Sequence, residues 1–221
     1  MLGLKKMSMP RTLDENDAAI IYLRKKDKRF AKVFSMVGPI SYSVHDDGYS
    51  FLIHEIVEQM LSTKAAQVIF NRLEARCDGI ITPDAINSLS DSQIRETGTS
   101  GRKVQTIRAI TDAIENRVIN LKQFENMTDS EITTVLTSIN GIGNWTAKMY
   151  LIFVLDRPDV LPFEDAAFLQ GYKWAYRTDD CSPKSIQAKC KKWSPYSSTA
   201  ARYMYRALDS GLTKQEFHLF K

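Results

Sequence analysis

Leu136-Thr-Ser-Ile-Asn-Gly-Ile-Gly-Asn-Trp-Thr-Ala-Lys-Met-Tyr150 reads as two helices joined by a glycine hairpin, and Leu161-Pro-Phe-Glu-Asp165 then delivers a carboxylate to the start of a third. Two glycines flank one apolar residue. Gly141 and Gly143 can both take positive φ, and without side chains they let a phosphate oxygen approach the backbone N–H groups. The amides of Gly143 and of the first turn after it point one way and add the helix dipole, the arrangement that binds anions. Ile142 is expected to plug the hairpin into the core. Thr146 and Lys148 would add a hydroxyl and a charge toward the same strand. A Gly-x-Gly turn alone is weak, since most such turns merely join helices.

Helical patterning continues in both directions. Thr128-Asp-Ser-Glu131 has the capping-box pattern and opens a helix over 131–139. Asn144 to Leu155 forms the next helix, Pro158 and Pro162 bracket a loop, and Asp165 to Tyr176 is helical again. Upstream, Asp17 to Arg24, Tyr49 to Met60, Ser62 to Ala75 and Arg102 to Asn116 carry apolar residues at helical spacing. Thr82-Pro83 and Ser182-Pro183 start helices, because proline at the first helical position loses no hydrogen bond; the second of these is expected to run to near Trp193. Ser197 to Leu208 makes the last helix, stopped by Gly211. The pattern predicts an all-α fold of about ten helices with no credible sheet.

The bulk numbers narrow the class of protein. With 221 residues, 43% of them hydrophobic, the chain can build a core in one domain or in two lobes. The net charge of +4 permits an acidic partner such as nucleic acid without demanding one. The three cysteines, Cys77, Cys181 and Cys190, form no even framework and no Cys-x-x-Cys, which points to a reducing, intracellular setting. No apolar run approaches the roughly 20 residues that cross a bilayer, and the N-terminus lacks the apolar stretch of a signal peptide. No membrane association is expected.

The extended pattern Leu-x-x-Ile-x-Gly-Ile-Gly-x-Trp-Thr-Ala resembles the helix-hairpin-helix DNA glycosylase superfamily, and most closely the 3-methyladenine DNA glycosylase II family. Three further segments carry the resemblance in the same order: Ile56-Val-Glu-Gln-Met-Leu-Ser62, Val160-Leu-Pro-Phe-Glu-Asp165 and Trp193-Ser-Pro-Tyr-Ser-Ser-Thr-Ala-Ala201. The resemblance implies a two-lobed helical glycosylase fold spanning 1–221 as one domain, with the helix-hairpin-helix motif at 132–155, in the manner of the compact members. It implies that the partner is damaged double-stranded DNA, bound by a monomer, and that the hairpin (Gly141, Gly143, Thr146, Lys148) grips its phosphates.

Asp165 is then the catalytic carboxylate. Breaking an N-glycosidic bond leaves positive charge on the sugar, which a carboxylate beside C1′ stabilises, and the same group can orient or deprotonate the attacking water. Composition alone makes Asp165 an ordinary helix cap. Trp145 stands where the bifunctional branch has a lysine that attacks the sugar, so the expected reaction is monofunctional, using water and leaving an abasic site. The target nucleotide must leave the duplex. By resemblance Gln59 and Met60 fill the gap as a wedge, although Met60 also reads as a core residue at a helix end. Trp145, Met149 and Tyr205 line the pocket for the flipped base, while Tyr203 and Trp174 read as core. Aromatic rings favour positively charged alkylated purines such as 3-methyladenine and 7-methylguanine by about 1–2 kcal/mol. A glycosylase for neutral lesions such as ethenoadenine or hypoxanthine, or a catalytically silent protein that binds damaged DNA, are the alternatives. A structural Na+ or K+ is expected at the hairpin carbonyls of Thr137, Ile139 and Ile142. Otherwise no cofactor is expected, and three cysteines do not suffice for the four-cysteine iron–sulfur cluster of one branch. Glu58, where the family has glycine, and Ala166, after Asp165, depart from the pattern.

Overall fold

The computed structural model describes residues 10–220. In chain order the elements are β1 (Arg11–Leu13), α1 (Ala18–Lys26), α2 (Lys28–Val37), β2 (Ile40–Tyr42), α3 (Gly48–Glu58) and α4 (Thr63–Arg76). There follow α5 (Pro83–Ser88), α6 (Asp91–Arg95), α7 (Gly101–Glu115), α8 (Asp129–Thr137) and α9 (Asn144–Phe153). The chain ends with α10 (Ala166–Tyr176), α11 (Pro183–Cys190) and α12 (Ser197–Asp209). They form two compact units. His45–Leu155 makes one, and the segments on either side of it, up to Val44 and from Asp156 onward, make the other. The expected all-α character holds, with one addition. Strands β1 and β2 pair antiparallel, Arg11 opposite Tyr42 and Leu13 opposite Ile40. Three-residue strands are too short to leave a period of two in the sequence.

Most helices start where a short polar side chain can take an orphan backbone N–H. Ser90 and Thr128 complete capping boxes with Gln93 and Glu131. Thr82 and Ser182 cap α5 and α11 ahead of their prolines. Helix α8 runs Asp129–Thr137, two residues earlier than the hydrophobic pattern suggests, because the capping box fixes its start at Thr128. Helix α11 stops at Cys190 and continues as a tighter 3-10 turn over Lys191–Trp193.

In the unit built from the two outer segments, Leu13, Ile20, Leu23, Phe30, Tyr172, Trp193 and Tyr203 are fully buried. Trp174 and Tyr203 are core residues, as read from the sequence. Helices α10 and α12 meet closely at Gly171, where a Cβ would lie 2.7 Å from the Met204 carbonyl oxygen. The buried carboxylate of Asp27 ties three elements of this unit together. It caps α2 through Arg29 N at 2.9 Å, accepts from Trp193 Nε1 at 2.9 Å and from the Tyr176 hydroxyl, and pairs with Lys192 Nζ at 3.2 Å. In the His45–Leu155 unit, Ile107 and Ile110 of α7, Ile132 and Leu136 of α8, and Ile152 of α9 are fully buried. None of the described helices is long and apolar enough to cross a membrane.

Candidate functional site

The hairpin closes with Ile142 N–H donating to Ile139 O at 3.0 Å. Gly141 has φ +94°, and a Cβ there would sit 2.0 Å from Thr106 Oγ1 of α7. Backbone conformation and space both require glycine. Ile142 is buried, 4% exposed, as a plug should be. Gly143 corrects an expectation. Its φ is −108° and ψ −179°, extended backbone open to any residue, and a Cβ there would meet nothing within 4 Å. Gly143 is also the N-cap of α9, and no side chain caps that helix.

Thr146 lies in the first turn of α9. It is 1% exposed, and its hydroxyl accepts from Gln59 Nε2 at 3.3 Å. Its side chain therefore faces the protein interior. Lys148 is half-buried on α9, Trp145 is half-buried in that helix's first turn, and Met149 is buried. Of the carbonyls expected to hold a monovalent cation, Ile139 O already accepts from Ile142 N–H. Thr137 ends α8, where carbonyls lack intrahelical partners, so hard oxygen donors of the type Na+ or K+ takes are present.

Gln59 and Met60 form the turn between α3 and α4. Gln59 Nε2 also donates to Gly141 O at 3.0 Å, so the turn is tied to the hairpin. Met60 is not a core residue: it is 101% exposed and has φ +59°. A left-handed backbone in a non-glycine residue costs of order 1 kcal/mol, and a methionine held in water forgoes about 1.5–3 kcal/mol of burial. Among the described residues none covers the Met60 side chain. Glu58, the departure beside this turn, accepts from Thr63 Oγ1 at 3.2 Å and lies 3.8 Å from His54 Nδ1. The hydrogen bond from His54 to Glu55, opposed by burial and aided by the charges of Glu55 and Glu58, raises the His54 pKa above its ordinary value. His54, Glu55 and Glu58 place ligand-type atoms within 4.8 Å of one another, a cluster explained by its own ion pairs.

In the other unit, Asp165 is 8% exposed and caps α10, its Oδ1 accepting from Phe168 N at 2.7 Å. The carboxylate sits on the positive end of the α10 dipole. Sequence reasoning missed what holds its loop. Ser198 N donates to Pro158 O at 3.0 Å, Val160 N donates to Ser198 Oγ at 2.9 Å, and Ser197 N donates to Asp159 Oδ1 at 3.2 Å. Asp159 also accepts from Ser194 Oγ at 2.5 Å. The Trp193–Ala201 segment is thus a clamp on the Asp165 loop, and its serines were the available signal. Asp156, at the root of the loop, accepts from Tyr42 at 3.0 Å and pairs with Arg202 at 3.1 Å. The Arg202 guanidinium lies 3.7 Å from the Tyr42 ring centre. Tyr205 is half-buried on α12, and Glu164 and Ala166 are exposed.

A helix-hairpin-helix motif and an exposed apolar tip in one unit, and a carboxylate on a helix start in the other, are the features a base-excision class of protein carries. The family model of the HhH-GPD superfamily base excision DNA repair protein matches residues 53–195, and the chain belongs to that family. Among relatives, the DNA-3-methyladenine glycosylase 1 of Schizosaccharomyces pombe is 31% identical over 195 residues, covering 85% of this chain and 86% of that protein. The crystal structure of DNA-3-methyladenine glycosidase from Bacillus halodurans matches with a TM-score of 0.82 and 29% identity, covering 95% of this chain and 97% of that one. The 3-methyladenine DNA glycosylase Mag1 of S. pombe, solved in complex with abasic DNA, matches with a TM-score of 0.78 and 30% identity, covering 87% and 97%.

Proposed function

We propose that the protein is a monofunctional DNA glycosylase of base excision repair that hydrolyses the N-glycosidic bond of alkylated purines, 3-methyladenine and 7-methylguanine, and leaves an abasic site. The observation that carries the reading is Asp165, a nearly buried carboxylate fixed on the α10 N-terminus within a loop clamped by Ser197 and Ser198. In this reading Asp165 stabilises the oxocarbenium-like sugar and orients the attacking water. A positively charged alkylpurine is already a good leaving group, so one carboxylate suffices without a dedicated general acid. Trp145 in place of a lysine supports hydrolysis without strand cleavage. Trp145, Met149 and Tyr205 are the residues proposed to receive the flipped base, with cation–π attraction favouring a charged one.

Gly141, Gly143 and the first-turn amides of α9 grip the phosphate with Lys148 nearby, and Met60, backed by Gln59, fills the vacated stack. The protein acts as an intracellular monomer on damaged duplex DNA. A Na+ or K+ at the carbonyls of Thr137, Ile139 and Ile142 would stiffen the hairpin and add positive charge beside the phosphate. The test is base release from methylated duplex DNA. Asp165→Asn is expected to lose about a hundred- to a thousandfold in rate, the scale of removing one preorganised electrostatic group, while duplex binding changes little. Full excision by that variant would refute the assignment. Release of ethenoadenine or hypoxanthine in place of methylated purines would redirect the substrate, and no release of any base would leave a DNA-binding protein only.

A further inference from the structure

Lys103, in the first turn of α7, reaches out of its own helix. Its ammonium donates to Val57 O at 2.8 Å and to Gln59 O at 2.7 Å. Both acceptors belong to the C-terminal end of α3, where carbonyls lack helical partners and a positive charge is favoured. The Gln59 carbonyl belongs to the peptide that leads into Met60, so fixing it fixes the direction in which Met60 leaves the helix. Three residues along α7, Thr106 packs on Gly141, and the Gln59 side chain links the same turn to Gly141 O. One face of α7 therefore supports both the exposed tip and the hairpin. Gln59, Met60, Lys103, Thr106 and Gly141 line a common cavity of about 310 Å3. Burial lowers the Lys103 pKa from its ordinary value.

We infer that Lys103 is a positioning residue for base flipping: it holds the Gln59–Met60 peptide so that Met60 stands out as a wedge, in register with the hairpin. The inference rests on the proposed role of Met60. Without the ammonium, the Gln59 carbonyl turns freely and Met60 leaves its left-handed conformation. The charge is spent on two backbone oxygens, which separates this role from a phosphate contact.

The test combines Lys103→Met, Met60→Ala and the double variant in the full chain. It reads single-turnover base release from methylated duplex, 2-aminopurine fluorescence beside the lesion, and the salt dependence of affinity for undamaged duplex. Lys103→Met is expected to slow release and flipping about tenfold, the scale of losing hydrogen bonds to a charged donor. The salt slope should stay unchanged, and Lys103→Met should have no further effect once Met60 is alanine. Should Lys103→Met fail to fold, Lys103→Arg keeps charge and stem and should show the same pattern at about threefold. An equal loss in both backgrounds, or a loss of stability with flipping intact, overturns the inference. A shallower salt slope would make Lys103 a phosphate ligand instead. If Met60→Ala alone leaves flipping unchanged, it is the wedge reading that fails.

Discussion

Replacing the hairpin glycines one at a time should separate what the fold needs from what the ligand needs. At Gly141, alanine would adopt φ +94° and place its methyl 2.0 Å from Thr106 Oγ1 and 2.9 Å from Thr106 Cγ2. The conformation costs about 1–2 kcal/mol. Thr106 is 5% exposed, and its hydroxyl donates to Arg102 O, so it yields little; overpacking adds about 1–3 kcal/mol. Gly141→Ala should therefore lose about 2–5 kcal/mol, a large part of the 5–15 kcal/mol typical of a domain.

Gly143→Ala should behave differently. The backbone is extended and the methyl would meet nothing. Stiffening the unfolded chain contributes about 0.4–1 kcal/mol, and the poorer N-cap removes a similar amount. Stability should stay within about 1 kcal/mol of the parent. The methyl would nonetheless stand where a phosphate oxygen must approach the α9 amides. Losing one hydrogen bond to a charged acceptor, about 1.5–3 kcal/mol, weakens duplex binding by about ten- to a hundredfold. Urea unfolding and fluorescence anisotropy with an abasic duplex read the two quantities separately. If Gly143→Ala binds DNA with unchanged Kd, or loses as much stability as Gly141→Ala, the hairpin is a structural turn and the phosphate grip is wrong.

Ser198→Ala removes the acceptor for Val160 N and should slow single-turnover base release by about ten- to a hundredfold through a loosened Asp165 loop. Duplex Kd should be unchanged. An unaltered rate would show that the clamp does not govern the carboxylate. Asp27→Ala should cost about 3–5 kcal/mol in urea unfolding, because it strips the partners of Trp193, Tyr176 and Lys192. Burial alone would raise the pKa of Asp27, but the hydrogen bonds from Tyr176 and Trp193 and the Lys192 charge prevail and lower it below 3.8. Its stabilisation is therefore present above about pH 4 and is lost as pH falls through the depressed folded value. The parent–variant gap should shrink in acid, and a gap constant down to pH 2.5 would contradict this network.

The sequence made the helices legible because caps and apolar spacing are local signals, and Thr128, Ser182 and Pro183 stand where they were read. Asp165 as a cap and Ile142 as a plug were legible for the same reason. The β1–β2 pair was not, since its register depends on residues far apart in the chain. Thr146 looked like a phosphate ligand because its position on α9 faces the right turn. Only the fold shows that Gln59, distant in sequence, comes to its hydroxyl. The serines of the Trp193–Ala201 segment were visible as a motif, but their partners Pro158, Asp159 and Val160 were not. Motif residues were readable, and the residues that hold them were hidden by long-range pairing.

The hairpin glycines and the turn beside them differ in what the fold itself demands of them. Gly171 and Gly141 are explained by Met204 and Thr106, against which a side chain would collide. Gly143 has no such neighbour, α9 begins without the side-chain cap that most other helices have, and Met60 combines a positive φ with full exposure. These departures cluster at the hairpin and at the turn bonded to it through Gln59. A fold selected for stability alone would place serine or aspartate at position 143 and glycine or asparagine at 60. Such departures are expected at functional sites. In the proposed function, a phosphate on the α9 amides would supply the missing cap, and an opened base stack would supply the apolar surroundings Met60 lacks. One ligand, a duplex with one nucleotide turned out, would satisfy both at once.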